Sequence, residues 1–576
     1  MTEASSCPTN WSMFHGDPAH TGNAAGSNIT SENVGKSLKL LRSVQLRGSV
    51  LSTPAVVDGF VYVGTANSHD AVGANGGSFF KINLETGDTK EFTWNISRPE
   101  GDTHGFTGMG CTPAVANGKV YFTAFNGKLY CLDQETLEPV WITDLRYADP
   151  LHNQPVTNVM GTDQGYAQVE GWSSPLVING KVYTGIGEGE NPFAYSFVYC
   201  LDAETGSVLW MFCTCQFQKD QDNQPNVLPA ELLNNAPLPP PFSVYDGVPF
   251  VKGCSVWAAI AYDEKLDRLY CSTGNPQPDG ALPTHGYSNG LLALDANSGQ
   301  FKGFCQFPAE SSYRVSDSDI DVGGSATIFT RQGQKVVGIG CKNGSYMILD
   351  AETLVPVVQW RQMLPYYNKD GPNKGGQIPT VDPHGDDYPG NPNPRRTNEE
   401  SNAPAPPPAS DPNYTTENYS GTYSTAAIHP GTERLFIGIG GNNYHFLAPG
   451  INSDTTPFMR ALDWNTLKDA WPLDNNDPQR YLNSNPPMYA NAGESGISVP
   501  AVVNDVVFCA TTKISLYAFN VNDGKLLWQD DLGSPTQGYS GGYGYCMGPA
   551  IWQDYVVAGA LVFGRDGGLL NIYKLQ

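Results

Sequence analysis

Residues 111–141 read CTPAVANGKVYFTAFNGKLYCLDQETLEPVW, and this stretch decides the fold. Its short apolar runs are separated by Asn117-Gly118 and Asn126-Gly127, dipeptides typical of tight antiparallel hairpins. The Leu-Asp-x-x-Thr segment that follows predicts an outer hairpin, in which the Asp accepts hydrogen bonds from turn amides. Such a unit predicts four up-and-down strands that form one twisted sheet.

The same pattern recurs along the whole chain, which indicates a repeat architecture. Clear copies begin with a Pro after small residues, at Pro54, Pro113, Pro175 and Pro500, and a last one begins at Pro549. Degenerate copies begin near Ala258, Ala326 and Ala426. Eight four-stranded sheets packed radially bury each other's faces. The sequence therefore predicts an all-β, eight-bladed β-propeller, with residues 1–576 as a single domain.

Ring closure, inter-blade packing and insertions can also be predicted. The last copy ends at Gln576 without an outermost strand, and we expect the apolar run Leu38 to Leu46 to complete that sheet. The segments 220–251 and 366–423 are rich in Pro, Asn and Gly, and they predict long surface loops. A recurring Trp is expected to pack between neighbouring blades, at Trp141, Trp210, Trp360, Trp471 and Trp528.

Composition restricts the partners and the compartment. The net charge of −24 and the pI near 4.6 argue against nucleic acid and anionic membrane surfaces as partners. No apolar run approaches the roughly 20 residues that a bilayer span needs. The chain opens MTEASSCPTNW, which lacks the features of a signal peptide, so the protein is either cytosolic or has had its leader removed. Twelve Cys favour an oxidising compartment, and we predict a secreted or periplasmic protein.

The repeat resembles that of the quinoprotein propellers over nearly the whole chain, and four motifs resemble the branch that binds pyrroloquinoline quinone (PQQ). Residues 255–276 read SVWAAIAYDEKLDRLYCSTGNP. Trp257 and Asn275 stand at the spacing that the family uses between the Trp under its quinone and a metal-binding Asn. The resemblance implies that Trp257 forms the floor of the cofactor site and that Asn275 is a metal ligand.

The second motif is GIGEGE at residues 185–190, which follows a predicted strand of the third copy. It resembles the family's Gly-x-x-Gly-x-Glu turn, which implies that Glu190 is a metal carboxylate. Gly187 and Gly189 would let backbone amides approach the cofactor.

The third motif, SDSDIDVGGS at residues 316–325, resembles the Asp-x-Asp-x-Gly-x-Ser segment of the polyvinyl-alcohol-dehydrogenase-like members. It implies that Asp319 is the catalytic base and a metal ligand, with Asp317 and Asp321 as rivals for the base. The fourth motif, CKNGS from Cys341, resembles the Arg/Lys-Asn-Gly step of the fifth blade. It implies that Lys342 bonds to the quinone oxygens.

Two further positions depart from the family. Cys111 stands alone where many members carry a vicinal Cys pair over the cofactor, and Trp172 replaces a Thr at the start of the third blade. We expect both to contact the cofactor. The resemblance implies PQQ and Ca²⁺ as cofactors, because Ca²⁺ takes oxygen ligands and polarises carbonyl groups. It also implies oxidation of a small or polymeric alcohol, with an external electron acceptor.

Two other functions compete with this one. Quinoprotein-like propellers include cofactor-free members, so the chain could serve as a scaffold or a ligand-binding protein. The pore could instead be rebuilt for another metal-dependent reaction, with ligands from His15, His20, His69, His104, His285, His429 and His445. The set Trp257, Asn275, Glu190, Asp319 and Lys342 separates these functions, because a scaffold has no reason to keep it.

Overall fold

The computed structural model describes the propeller strands and the N-terminal segment. The described residues are 10–67, 77–93, 107–145, 171–187, 196–214, 254–274, 287, 290–306, 322–341, 345–362, 420–421, 424–438, 440–441, 459–467, 470–471, 498–511, 515–531, 548–560 and 567–576, with the backbone of 227–228, 244–245 and 248–249. Within these residues no helix is long and apolar enough to cross a membrane.

Eight antiparallel sheets follow one another along the chain, and we number them as blades 1 to 8. Blades 1 to 4 each have four main strands in sequential order from the channel outwards, and the short strand Val227–Leu228 pairs with the outermost of these in blade 3. Their strands are Ala55–Val57, Phe60–Gly64, Ser78–Asn83 and Thr89–Thr93; Ala114–Ala116, Lys119–Thr123, Lys128–Asp133 and Pro139–Asp144; Leu176–Ile178, Lys181–Ile186, Phe197–Asp202 and Val208–Cys213; and Ala261–Asp263, Arg268–Thr273, Gly290–Asp295 and Phe301–Gln306.

Blades 5 to 8 continue the pattern, with three described strands in blade 6. Their strands are Thr327–Arg331, Gln334–Gly340, Ser345–Asp350 and Pro356–Gln362; Ala427–His429, Arg434–Gly438 and Met459–Asp463; Ala501–Val503, Val506–Ala510, Ser515–Asn520 and Leu526–Asp531; and Ala550–Trp552, Tyr555–Ala560, Gly567–Leu575 and Leu38–Arg47. The remaining described elements are a single helical turn, Val34–Ser37, a 3-10 turn, Pro430–Thr432, and the short strands Asn23–Ala24, Ala66–Asn67, Thr107–Gly108, Val227–Leu228, Val244–Tyr245, Val248–Pro249, Ser420–Gly421 and Gly440–Gly441.

The N-terminal strand closes the ring, as predicted. Leu38–Arg47 pairs antiparallel with Gly567–Leu575 and forms the outermost strand of blade 8. Arg42 then joins blade 8 to blade 1, because its guanidinium donates to the carbonyl oxygens of Leu84, Glu85 and Thr86. The first and last strands of the propeller are therefore held in one sheet, and this sheet is tied to the next blade.

The hydrophobic core lies between adjacent blades, and the predicted Trp positions show how it is packed. Trp141, Trp210 and Trp471 each donate their indole N–H to a carbonyl of the next blade, at 2.9 to 3.3 Å. Trp528 contacts Tyr573 of blade 8 edge to face, with ring centroids 5.1 Å apart. The side chain of Trp360 lies outside the described residues. The predicted inter-blade packing is thus confirmed for four of the five Trp residues.

The outer hairpins also form as predicted. In blade 2, Asp133 Oδ1 accepts hydrogen bonds from the amides of Glu135 and Thr136, at 3.0 and 2.7 Å, and from the Thr136 hydroxyl. Asp202 makes the same contacts in blade 3. These bonds favour the charged carboxylate, and they lower the pKa of both Asp residues.

A segment before the first blade follows the inner strands and contains two buried His residues. His20 is 2% exposed, and its Nδ1 lies 3.1 Å from the carbonyl oxygen of Ala326. Burial and, to a smaller extent, the neighbouring His15 lower the pKa of His20 to about 3, against the opposing effect of the Ala326 carbonyl. His20 is therefore neutral in the folded protein near neutral pH.

This lowered pKa predicts acid destabilisation. Below pH 6.5 the unfolded chain protonates His20 and the folded protein does not, so stability falls as pH falls towards 3. His20→Asn keeps an amide N–H for the carbonyl of Ala326 and cannot titrate in this range. Between pH 7 and pH 4 we expect the parent to lose about 3 kcal/mol more unfolding free energy than the variant. His15 and Asp17 are present in both proteins. Parallel stability curves in urea would contradict the prediction.

Candidate active site at the channel mouth

The residues that precede the inner strands are linked from blade to blade by hydrogen bonds, and we call this set the mouth ring. Ser174 Oγ accepts from the amide of Thr112 at 2.9 Å, and Ser173 Oγ donates to the carbonyl of Ala258 at 2.9 Å. Further round the ring, the amide of Ser325 donates to Thr425 Oγ1 at 2.9 Å. Short polar side chains thus fix the segments that carry the candidate residues.

Trp172 and Trp257 each precede a residue that takes part in one of these hydrogen bonds. Ser173 follows Trp172 in the chain, and Ala258 follows Trp257, so the hydrogen bond between them fixes the starts of blades 3 and 4 side by side. Both Trp side chains are half-buried. Trp172 also contacts Phe125, with ring centroids 4.5 Å apart and planes at 59°. The structure therefore brings two of the predicted cofactor contacts to adjacent blades at the mouth.

Ser255 connects the segments that lead to the predicted metal ligands. The amide of Gly274 donates to the carbonyl of Ser255 at 2.8 Å. A Cβ built on Gly187 would lie 2.5 Å from the Cβ of Ser255, so only glycine allows this approach. Gly187 is three residues before Glu190, and Gly274 immediately precedes Asn275. Glu190, Asn275 and Gly189 themselves lie outside the described residues.

The start of blade 5 is hydrogen-bonded to the strand of blade 4 that leads to Gly274. Ser272 Oγ, close to Gly274 in sequence, donates to the carbonyl of Gly324 at 2.7 Å. Val322 and Cys341 are fully buried in one core cluster between blades 4 and 5. Val322 directly follows the Asp-rich run, and Cys341 directly precedes Lys342. The predicted residues Asp317, Asp319, Asp321 and Lys342 lie outside the described residues.

Cys111 lies in the core between blades 1 and 2. Its side chain is 1% exposed, and its thiol donates to the carbonyl of Thr123 at 3.3 Å. Burial raises the pKa of the thiol to about 11, so Cys111 is protonated and is a poor nucleophile. Its predicted contact with a cofactor stays a prediction. Thr112, the next residue, is the part of this segment that bonds to the mouth ring.

The described His residues 15, 20 and 429 make hydrogen bonds within the protein, and the described Cys residues are buried. His15 and His20 are bonded to backbone carbonyls, and His429 lies 2.8 Å from the Thr432 hydroxyl. The nine described Cys are all buried. Among the residues that the structure describes, no group of three His, Cys, Asp or Glu could hold a metal ion. The other candidate His residues, 69, 104, 285 and 445, lie outside that part of the chain.

Two residues of the mouth were not found from the sequence. Ser255 looked like the small residue before any inner strand, and Phe125 looked like an ordinary residue after a strand. The available signal was the repeated small-polar pair before each copy, as in Ser173-Ser174 and Ser424-Thr425. The partners of these residues depend on the rotation between blades, which a repeat pattern does not give.

Two family models match parts of this chain. Residues 243–365 match the family model described as the β-propeller domain of glucose, ethanol and alcohol dehydrogenases, named for PQQ. Residues 37–210 and 457–561 match a second model, described as outer membrane protein assembly factor BamB. The first match contains the mouth segments of blades 4 and 5.

Curated relatives extend the similarity along the chain. The dehydrogenase subunit of the quinone-dependent alcohol dehydrogenase of Gluconacetobacter polyoxogenes is 27% identical over 369 residues, which are 60% of this chain and 45% of that protein. The quinohemoprotein alcohol dehydrogenase of Comamonas testosteroni is 26% identical over 379 residues, 60% of this chain and 47% of that protein. The chain thus matches about half the length of these relatives. They do not specify the polyvinyl-alcohol branch.

Solved structures show the same fold. The quinohemoprotein alcohol dehydrogenase from Comamonas testosteroni superposes with a TM-score of 0.64 at 17% identity, over 100% of this chain and 81% of that one. A europium-containing methanol dehydrogenase superposes with a TM-score of 0.64 at 16% identity, over 98% of both chains. The chain therefore has the eight-bladed propeller fold of these quinoproteins, and its sequence is similar to PQQ-dependent alcohol dehydrogenases.

Proposed function

We propose that the protein is a quinoprotein oxidoreductase, which oxidises an alcohol with PQQ and Ca²⁺ bound at the channel mouth. The observation that carries this proposal is the double contact of Ser255. The segments that lead to Glu190 and to Asn275 both touch this residue, two positions before Trp257. A carboxylate, an amide oxygen and an aromatic face are the groups that a hard cation and a flat quinone require.

The mouth fits such a cofactor on chemical grounds. Gly187 brings backbone to a distance that a side chain would prevent, and the indoles of Trp172 and Trp257 are half-buried rather than sealed in the core. Glu190 and Asn275 would hold the metal with oxygen ligands, and Lys342 would donate to the cofactor's oxygens. When bound, PQQ supplies the acceptor for the hydride of the alcohol.

In this proposal the residues of the chain divide the remaining work. Asp319 takes the hydroxyl proton of the alcohol, with Asp317 and Asp321 as rivals. Trp257 orients the plane of the cofactor, and the aromatic pair Trp172 and Phe125 excludes water from one side of the mouth. An external electron acceptor and a secreted or periplasmic location belong to the same proposal. The insertions 220–251 and 366–423 would select the substrate.

Reconstitution tests the proposal. Purified protein is titrated with PQQ by calorimetry in CaCl₂, in a lanthanide salt and in EDTA, because one protein of the same fold contains europium. We expect saturable, metal-dependent binding, followed by dye reduction with members of a panel of primary, secondary and polymeric alcohols. The salt that supports turnover identifies the metal. Absence of PQQ binding in every salt would overturn the proposal.

A cofactor-free scaffold is the second candidate. It is supported by the match of residues 37–210 and 457–561 to a model described as an assembly factor. The same calorimetry separates the two candidates, since a scaffold binds no PQQ in any salt. Glu190→Ala provides the control. This variant should lose metal-dependent PQQ binding if the quinoprotein function is correct.

A further inference from the structure

The segment from Trp11 to Ala24 is not part of any repeat, and it runs around the channel along the inner strands. The second residue of each of six inner strands donates its amide to a carbonyl of this segment, at 2.7 to 2.9 Å. The pairs are Val56 with Trp11, Val115 with Ser12, Tyr262 with Pro18, Ile328 with Ala19, Ile428 with Thr21 and Val502 with Gly22.

The order of these contacts follows the order of the blades. Successive residues of the segment reach blades 1, 2, 4, 5, 6 and 7, and Met13 belongs to the core cluster that contains Val177 of blade 3. One short segment therefore bonds to six of the eight inner strands. The amide of an innermost strand has no further strand to bond on the channel side, so the segment satisfies donors that would otherwise need water.

The segment is also bonded across itself. His15 Nε2 lies 2.8 Å from the carbonyl of Pro500, and its Nδ1 lies 2.7 Å from the carbonyl of His20. The amide of Gly22 donates to the carbonyl of His15 at 3.1 Å. Asp17 Oδ1 accepts from the amides of Ala19 and Thr21, which fixes the turn between these points. These bonds tie the middle of the segment to its C-terminal part and to the start of blade 7.

Four side chains of the segment are buried. Trp11, His15 and His20 are each 2% exposed, and Met13 is 9% exposed. His15 and His20 reach the carbonyl oxygens of Pro500 and Ala326, immediately before the inner strands of blades 7 and 5, so the segment lies directly against the mouth ring. The three buried rings of Trp11, His15 and His20 lie beside the starts of the inner strands of blades 1, 5 and 7.

We propose that residues 11–24 form a plug that closes the channel next to the mouth ring and holds the inner strands as one cooperative unit. A ligand of the channel then has a single entrance, on the side of the mouth ring. This inference stands independently of the cofactor, because it rests on contacts of the protein with itself.

Hydrogen exchange of the full-length protein tests the plug. Gly22 has φ +58°, and a Cβ on it would lie 2.1 Å from His15 Nε2, so Gly22→Ala should displace the His15 ring. The matched control is Gly180→Ala, where φ is +74° and nothing lies within 4 Å of the added Cβ. Both variants strain the backbone in the same way, and only the first pushes on the plug.

We expect the amides of Val56, Val115, Tyr262, Ile328, Ile428 and Val502 to exchange about tenfold faster or more, as one set, in Gly22→Ala and not in Gly180→Ala. His15→Ala removes two hydrogen bonds without adding a clash, and it should accelerate exchange of the same six amides. This variant tests the proposal if Gly22→Ala does not fold. Exchange that stays at the control rate, or accelerates only at Val502, would overturn the proposal.

Discussion

Asp319→Asn is expected to lower alcohol turnover by about 10²- to 10⁴-fold while PQQ still binds, because general-base catalysis contributes a factor of that size. Asn has the shape of Asp and keeps an oxygen that can bind Ca²⁺, but it cannot accept the alcohol proton. The measurement is kcat with the dye assay, alongside the calorimetric affinity for PQQ. Full activity of the variant would show that the base is another residue.

Two comparisons make this result specific. Asp317→Asn and Asp321→Asn change the rival carboxylates of the same run, and only the variant of the true base should lose kcat with binding intact. Glu190→Ala should fail in the opposite manner, with loss of metal-dependent PQQ binding, since it removes a metal carboxylate. If Glu190→Ala binds PQQ normally and Asp319→Asn does not, the assigned roles are wrong.

Trp210→Gly is expected to destabilise the fold by about 3–5 kcal/mol, the usual consequence of deleting a large buried aromatic side chain. Trp210 is 3% exposed, and its indole N–H donates to the carbonyl of Ala296 in blade 4. It packs against Gly299, which has φ +69° and on which a Cβ would lie 2.6 Å from the indole. The measurement is the urea midpoint of unfolding.

The contact between blades 4 and 5 shows how the loss could be repaired. There the large and small residues are exchanged: Gly303 stands in the outer strand at the place of Trp210, and Leu354 of blade 5 stands in the turn at the place of Gly299. Leu354 has φ +57°, and it packs next to Gly303. We therefore expect Gly299→Leu to destabilise the parent and to recover part of the stability of Trp210→Gly, with a coupling of about 1–3 kcal/mol. Gly180→Leu has the same backbone strain without the Trp contact, and it should show no coupling. Additive effects at Gly299 would contradict the complementarity.

The fold could be predicted because its determinants are local. The hairpin dipeptides, the Leu-Asp-x-x-Thr segment and the recurring Pro each specify one turn or one strand start, and eight repetitions leave a closed ring as the arrangement that buries every face. The closing strand Leu38–Arg47 could be found because it was apolar and had no partner in its own repeat.

The candidate site was predictable only as residue types in motifs. A repeat pattern does not give the rotation between neighbouring blades, so it could not place Ser255 between Gly187 and Gly274. Nor could it show that Cys111 donates to the carbonyl of Thr123 inside the core. Such contacts join residues far apart in the chain, and small geometric differences decide them.

Sequence alone thus determined the number of blades, the order of strands within each blade and the acidic character of the surface, since these follow from local periodicity and composition. Only the tertiary structure decided which segments meet at the mouth and that the segment from Trp11 to Ala24 bonds to the inner strands of six blades. That segment has no period and no apolar alternation, and its place is fixed by backbone hydrogen bonds to six blades, which become available only after the ring has formed.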